Sequence, residues 1–208
     1  MLHAPAAIDI DIAPMRTEFA ALDASAGPDQ RTFFCGDGSW SGLALIERRS
    51  IGDSALSDGV VRPGLATMPS VAALIDRMGW RPVSVYLLRQ QLMGTLKWHF
   101  DDQALHLREC RLLLPLFASR GAVTWIGTEP VAYPTGTLWT GDFSMPHQVD
   151  NVSDSERVVL AFDLRSTPDV ARLFPDALSA NGPRRLDAAL QGRNQLLQWR
   201  AEQQSRPA

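Results

Sequence analysis

The sequence predicts a mainly β protein, a sandwich or a barrel, with α-helices on both sides of the strands. The first observation is a series of short apolar runs, spaced by about ten residues, between residues 83 and 164. The second is a set of prolines and glycines that separates these runs. The third is that no long helical pattern falls between them, which argues against a parallel α/β sheet.

The bulk properties are those of an ordinary globular chain. A length of 208 residues suits one hydrophobic core, so we expect a single domain over residues 1–208. The net charge of −3 argues against a nucleic-acid partner, which needs a basic face. No run resembles a signal peptide or a membrane span, so we expect a cytoplasmic protein. Cys35 and Cys110 should then be reduced thiols.

The first half of the chain contains one strong helical pattern. Residues 1 to about 30 are rich in Ala, Asp and Pro and should pack loosely on the body. Residues 70–78 place apolar side chains at helical spacing on one face. Pro69 suits the first turn of this helix, and Gly79 suits its end. Trp40 should lie in a loop that covers a substrate site.

The second half should contain the core strands and then two helices. The strands are expected at Val83–Leu88, Cys110–Phe117, Ala122–Ile126, Thr137–Thr140 and Arg157–Leu164. A short helix should run from Asp169 to Phe174 and a longer one from Pro183 to Gln203. This C-terminal segment, about 168–203, should cover its own domain or, less simply, a second subunit.

Two of the four histidines stand in contexts typical of metal ligands. His99 and Asp101 are two residues apart, so on a strand they point to the same face. His147, after Pro146, can supply a third ligand from a distant strand. Two imidazoles and one carboxylate leave three positions open, which suits Fe(II) and O2 chemistry better than structural zinc. The pair His99–Asp101 alone is weak evidence, because such pairs occur by chance.

Two arginines interrupt apolar runs. Arg157 lies ten residues after His147, and a buried arginine is costly unless it pairs with an anion. 2-Oxoglutarate supplies one: its 1-carboxylate and 2-keto oxygen chelate iron, and its distal carboxylate needs a two-point guanidinium partner. Arg111 is a second candidate for contact with this cosubstrate. Its alternative interpretation is an edge-strand arginine whose side chain reaches solvent.

The stretch from Val83 to Leu164 resembles the aspartyl/asparaginyl β-hydroxylase family of Fe(II)- and 2-oxoglutarate-dependent oxygenases. The shared pattern is the H-x-D at His99, an arginine-bearing strand that ends in Pro-Leu, and the segments 142–147 and 151–157. The resemblance implies a double-stranded β-helix, the jelly roll also found in cupins. It implies that His99, Asp101 and His147 bind the metal and that Arg157 and Arg111 contact 2-oxoglutarate. One departure is Leu113, where some members carry a histidine.

The resemblance also implies an activity. Members hydroxylate an unactivated C–H bond of an amino acid, which is free, acylated or part of a peptide, and release succinate and CO2. No feature of the sequence names the substrate, and an oligomer formed through the C-terminal helices stays open. Two alternatives also stay open: a cupin-type metalloenzyme that does not use 2-oxoglutarate, and a non-catalytic barrel that binds a small molecule. The first usually has three or four histidines, often in an H-x-H pair.

Overall fold

The computed structural model describes residues 1–49, 57–118 and 121–205, which form two antiparallel β-sheets flanked by helices. The strands are β1 (His3–Pro5), β2 (Arg31–Phe33), β3 (Trp40–Glu47), β4 (Val60–Val61), β5 (Pro82–Gln90), β6 (Thr95–His99), β7 (Glu109–Phe117), β8 (Ala122–Ile126), β9 (Glu129–Val131), β10 (Trp139–Gly141), β11 (His147–Asn151) and β12 (Arg157–Arg165). The α-helices are α1 (Ala13–Ser25), α2 (Pro69–Met78), α3 (Pro168–Ala171) and α4 (Gly182–Ser205).

The larger sheet has the order β1-β10-β7-β12-β5-β3-β2, with β4 paired to β3. The smaller sheet has the order β6-β11-β8-β9. Neighbouring strands in these orders are often distant in the chain, and every pairing is antiparallel. The predicted double-stranded β-helix is therefore confirmed, with helices on its N- and C-terminal sides.

Strand β12 shows how the apolar residues divide between two cores. Leu160 and Phe162 point to the side covered by α1 and α2, where the larger hydrophobic core lies. Val159 and Ala161 point between the two sheets, into a second core. Because side chains alternate along a strand, Arg157 and Asp163 share the inner face with Val159 and Ala161. Burial on both faces explains why the run between these charges is apolar throughout.

The N-terminal region does not pack loosely, contrary to our expectation. Strand β1 pairs with β10, with His3 opposite Gly141. Helix α1 buries Met15, Phe19 and Leu22, whose spacing places them on one helical face. Only three apolar side chains carry this contact, and the many alanines around them hide the pattern in the sequence.

Other expectations are met. Helix α2 begins at Pro69 and ends at Met78, and Gly79 follows it with the left-handed φ of 62° that favours glycine. Cys35 and Cys110 are both free thiols. Burial raises the pKa of the Cys110 thiol to about 12, which makes it unreactive at neutral pH. No helix in the three described ranges has the length and apolar character needed to span a bilayer.

Candidate metal centre and active site

Three side chains converge between the sheets as the sequence predicts. His99 ends β6, and His147 begins β11. One ligand atom each from His99, Asp101 and His147 lies within 4.8 Å of the other two. No other set of three such donors converges in the part of the chain that the structure describes. We refer to these residues as the triad.

Asp101 reaches the triad from a loop and not from the strand we expected. Strand β6 ends at His99, and the Asp101 backbone N–H donates to the Phe143 carbonyl at 2.9 Å. That bond holds the segment after β6 beside the segment that leads into β11. The carboxylate therefore depends on a contact between two loops.

A bulge in the β6–β11 pair sets the direction of His99. His147 is opposite His99, but Val149 is opposite Leu96. A step of two residues along β11 therefore corresponds to a step of three along β6, so β6 contains the extra residue. The imidazole rings of the opposed pair lie 4.0 Å apart between centroids. Leu96 and His99 line the same cavity although they are three positions apart in the sequence. Without the bulge, their side chains would lie on opposite faces.

The histidines present the right nitrogen for a metal. Nδ1 of His99 donates to the Lys97 carbonyl at 2.8 Å, and Nδ1 of His147 donates to the Met145 carbonyl at 3.0 Å. Both Nε2 atoms are therefore free of a proton in the neutral rings. The pKa of His147 is lowered to about 4, mainly by burial and to a smaller extent by the nearby His99. The ring is thus neutral at pH 7, and the donor set fits Fe(II).

Arg111 lies beside the triad and not at a sheet edge, because β7 is flanked by β10 and β12. Its Nη1 donates to Asp101 Oδ2 at 3.0 Å. Its Nε and Nη2 donate to the two oxygens of Asp163 at 2.8 and 3.1 Å. Ser84 Oγ donates to the same Asp163 carboxylate at 2.7 Å. Burial acts to raise the pKa of Asp163, but Arg111, the Ser84 hydrogen bond and Arg48 together lower it below its usual value.

A large cavity of about 790 Å³ opens on one side of the triad, lined by His99, Asp101 and Arg111. Its remaining wall has an aromatic part and a charged part. The side chains are Phe34, Trp40, Tyr86, Arg48, Gln103, Glu109 and Asp163. Trp40 is only 7% exposed and begins β3, so it belongs to a rigid strand and not to the covering loop we expected. Arg48 and Gln103 both donate to the Glu109 carboxylate.

Arg157 faces a second, smaller cavity of about 360 Å³, which Thr124, Tyr133 and Trp139 also line. The structure therefore does not place it in the cavity that contains His99 and Asp101. Its guanidinium is buried, and within the described residues it has no ion-pair or hydrogen-bond partner. Burial lowers its pKa to about 10.

The smaller cavity is nevertheless close to the triad. Thr124, which lines it, pairs with Val149, two residues beyond His147 on β11. Two strand residues span roughly 7 Å. One residue of the smaller cavity's wall is therefore paired with β11 about two residues from His147.

Sequence reasoning missed Asp163 and Ser84, although a signal existed. Asp163 lies six residues after Arg157 in an apolar strand, so it shares the inner face. His106 lies in a loop, and its side chain is buried, with Nδ1 3.8 Å from Asp142 Oδ2. It does not contribute to the triad. Asp142 in turn pairs with Arg185 of α4 at 3.2 Å.

Comparison with known proteins identifies the family of the chain. The sequence model described as "Aspartyl/Asparaginyl beta-hydroxylase" matches residues 15–167. An oxidoreductase of the 2OG-Fe(II) oxygenase family from Burkholderia pseudomallei superposes with a TM-score of 0.52 at 16% identity, covering 79% of this chain and 84% of that one. HygX from Streptomyces hygroscopicus, solved with nickel, 2-oxoglutarate and hygromycin B, superposes with a TM-score of 0.46 at 12% identity, covering 80% of this chain and 82% of that one. No curated protein matches significantly. The family match spans well over half of the sequence, and the chain belongs to the aspartyl/asparaginyl β-hydroxylase family.

Proposed function

We propose that this protein is an Fe(II)- and 2-oxoglutarate-dependent dioxygenase that hydroxylates a C–H bond of an amino acid, free, acylated or within a peptide. The observation that carries the proposal is the convergence of His99, Asp101 and His147 within 4.8 Å. Two neutral imidazoles and a carboxylate are the ligand set of non-haem iron oxygenases.

In this proposal the triad holds the metal through two Nε2 atoms and the Asp101 carboxylate. The Lys97 and Met145 carbonyls fix the imidazoles in the tautomer that binds a metal. Arg111 would hold the Asp101 carboxylate in place through its hydrogen bond to Oδ2. When bound, Fe(II) with 2-oxoglutarate and O2 supplies the oxidant for hydroxylation, and 2-oxoglutarate leaves as succinate and CO2.

Arg157 would bind the distal carboxylate of 2-oxoglutarate. A buried guanidinium without a partner is costly in free energy, and a carboxylate that makes two hydrogen bonds to it offsets that cost. Thr124, in the wall of the same cavity, pairs with Val149, which lies roughly 7 Å along β11 from His147. A molecule with carboxylates at both ends of a five-carbon chain is long enough to cover such a distance. Contact between Arg111 and the other end of 2-oxoglutarate is part of the same proposal.

The larger cavity would bind the primary substrate. Its wall offers aromatic surface from Trp40 and Tyr86 and charges of both signs from Arg48 and Glu109. An amino acid carries an ammonium, a carboxylate and a side chain, and these walls complement all three. The strands beneath the cavity keep its shape, so that bound substrate excludes water from the reacting carbon.

The test is an anaerobic titration of the metal-free protein with Fe(II) and then 2-oxoglutarate. Bidentate binding of the cosubstrate to iron gives a weak visible charge-transfer band, whatever the primary substrate is. We expect the band in the wild type, its loss in His99→Ala and its weakening in Arg157→Ala. Arg172→Ala changes the same type of residue at an exposed ion pair and serves as the matched control.

Each outcome of this titration has a meaning. Iron binding without the band would indicate metalloenzyme chemistry that does not use 2-oxoglutarate. No iron binding would indicate a barrel that binds a small molecule without catalysis. If the band appears, succinate release in the presence of a panel of amino acids, their N-acyl derivatives and short peptides identifies the substrate.

A further inference from the structure

Helix α4 contacts the chain next to every member of the triad. The helix spans Gly182–Ser205 and lies beyond residues 15–167, the part that matches the family. Its Ala189 and Leu196 are buried, while Leu186, Leu190 and Leu197 are at least 40% exposed. Arg193 and Arg200 are seven residues apart, so they lie on one face two turns from each other.

Arg193 joins the two segments that carry the triad. Its Nε donates to the Ser144 carbonyl at 2.9 Å, on the segment before His147. Its Nη2 donates to the Asp101 carbonyl at 2.9 Å and to Asp102 Oδ1 at 2.8 Å. The guanidinium also lies over the Phe100 ring, 4.6 Å from its centroid. One side chain therefore makes contacts with residues 100–102 and with residue 144.

Two further residues of α4 complete these contacts. Arg200 donates to the Trp98 carbonyl, directly before His99. Gly192 allows α4 to approach Pro146, directly before His147: a Cβ at Gly192 would lie 3.0 Å from Pro146 Cδ. The absent side chain is thus what permits the close approach of the helix at this point.

We propose that α4 helps to set the geometry of the metal centre. In this proposal Arg193 is a positioning residue for the triad. Asp101 lies in the loop after β6, whereas His147 begins β11. Beyond the pairing of His99 with His147 and the Asp101–Phe143 backbone hydrogen bond, Arg193 joins the loop at Asp101 to the segment before His147. By fixing both segments before the metal arrives, Arg193 lowers the cost of assembling the ligand set. This inference rests on the proposed function only in that the triad binds Fe(II).

The first test compares Arg193→Ala with Arg184→Ala, which removes the same charge from an exposed position of the same helix. Loss of an outer contact to metal ligands costs about 10–100-fold in metal affinity. We expect Fe(II) to bind Arg193→Ala at least about 10-fold more weakly than Arg184→Ala. In the metal-free protein, amide hydrogen exchange should accelerate in residues 98–102 and 144–147 of Arg193→Ala alone.

The second test separates helix stability from the effect on the metal. Gly192→Ala favours the helix, because alanine is the better helix former. The added Cβ also crowds Pro146, which directly precedes His147, so we expect weaker Fe(II) binding. The unfolding temperature of the metal-free protein should be unchanged or higher. A variant that only loosened the fold would move both quantities in the same direction.

Three outcomes would overturn the inference. Equal Fe(II) affinity in Arg193→Ala and Arg184→Ala would show that α4 is a cover without influence on the site. A weaker affinity that follows a lower unfolding temperature, with faster exchange over the whole chain, would show a general structural role. Failure of the wild type to bind Fe(II) would overturn this inference and the proposed function together, whereas the first two outcomes leave the proposed function standing.

Discussion

The guanidinium of Arg111 donates to the carboxylate of Asp101 at 3.0 Å, so a proposed metal ligand and a cation on the neighbouring sheet are directly paired. Arg111 is itself held by Asp163 on the adjacent strand. The pairing explains how two acidic groups coexist in a buried site before a metal binds. It also means that the position of Asp101 depends on residues that never touch the metal.

We predict that Asp163→Asn destabilises the protein by about 3 kcal/mol, because removing one partner of a buried ion pair leaves the other charge poorly compensated. Urea unfolding of the metal-free protein at neutral pH measures this change. Asp169→Asn, at an exposed ion pair with Arg172, is the control and should shift the midpoint little. Equal midpoints for the two variants would mean that Arg111 is satisfied by Asp101 and solvent alone.

The buried His147 predicts a pH dependence of stability. Its pKa is about 4 in the folded protein and near the ordinary histidine value of about 6.5 in the unfolded chain. Between these values the unfolded chain binds more protons, so stability decreases as pH falls from about 6.5 towards 4. The metal-free wild type should show this loss, and His147→Gln should show a shallower one. Parallel pH profiles for the two proteins would contradict the shifted pKa.

We predict that Arg157 serves cosubstrate binding at the expense of protein stability. Its buried guanidinium has no partner among the described residues, so Arg157→Met should leave the metal-free protein equally or more stable. The same change should abolish binding of 2-oxoglutarate to the iron-loaded protein. Calorimetry gives the unfolding temperature, and isothermal titration gives the affinity. A lower unfolding temperature would show that Arg157 serves the fold.

The exposed leucines of α4 predict self-association. Leu186, Leu190 and Leu197 are 40%, 47% and 49% exposed and lie on one side of the helix. We expect a dimer by light scattering after size exclusion, and a monomer for Leu190→Glu. A monomeric wild type at high concentration would contradict this prediction.

Much of the fold was predictable from local patterns. The expected strands at 83–88, 110–117, 122–126 and 157–164 lie within two residues of β5, β7, β8 and β12 at each end. Turn residues between apolar runs mark strand ends, and these signals need no knowledge of distant contacts. The convergence of His99, Asp101 and His147 was predictable from the H-x-D spacing together with the family resemblance of residues 83–164.

The remaining features depend on contacts between distant parts of the chain. Asp163 pairs with Arg111 because the register of β12 with β7 places them opposite each other, and a single sequence does not reveal that register. Arg193 acts through backbone carbonyls of residues 101 and 144, which leave no mark on the sequence. Helix α1 is supported by three buried side chains, too few for a clear periodic signal.

The bulge between His99 and Leu96 has an evolutionary consequence. The inward direction of His99 depends on one extra residue in β6, and not on the identity of any side chain. Deletion of a single codon there would keep Leu96 paired with β11 and turn the imidazole outward. The barrel, both cavities and Arg157 would persist without a metal. A frame-preserving deletion at this point should therefore remove the proposed metal site while leaving the proposed carboxylate site of Arg157 in place.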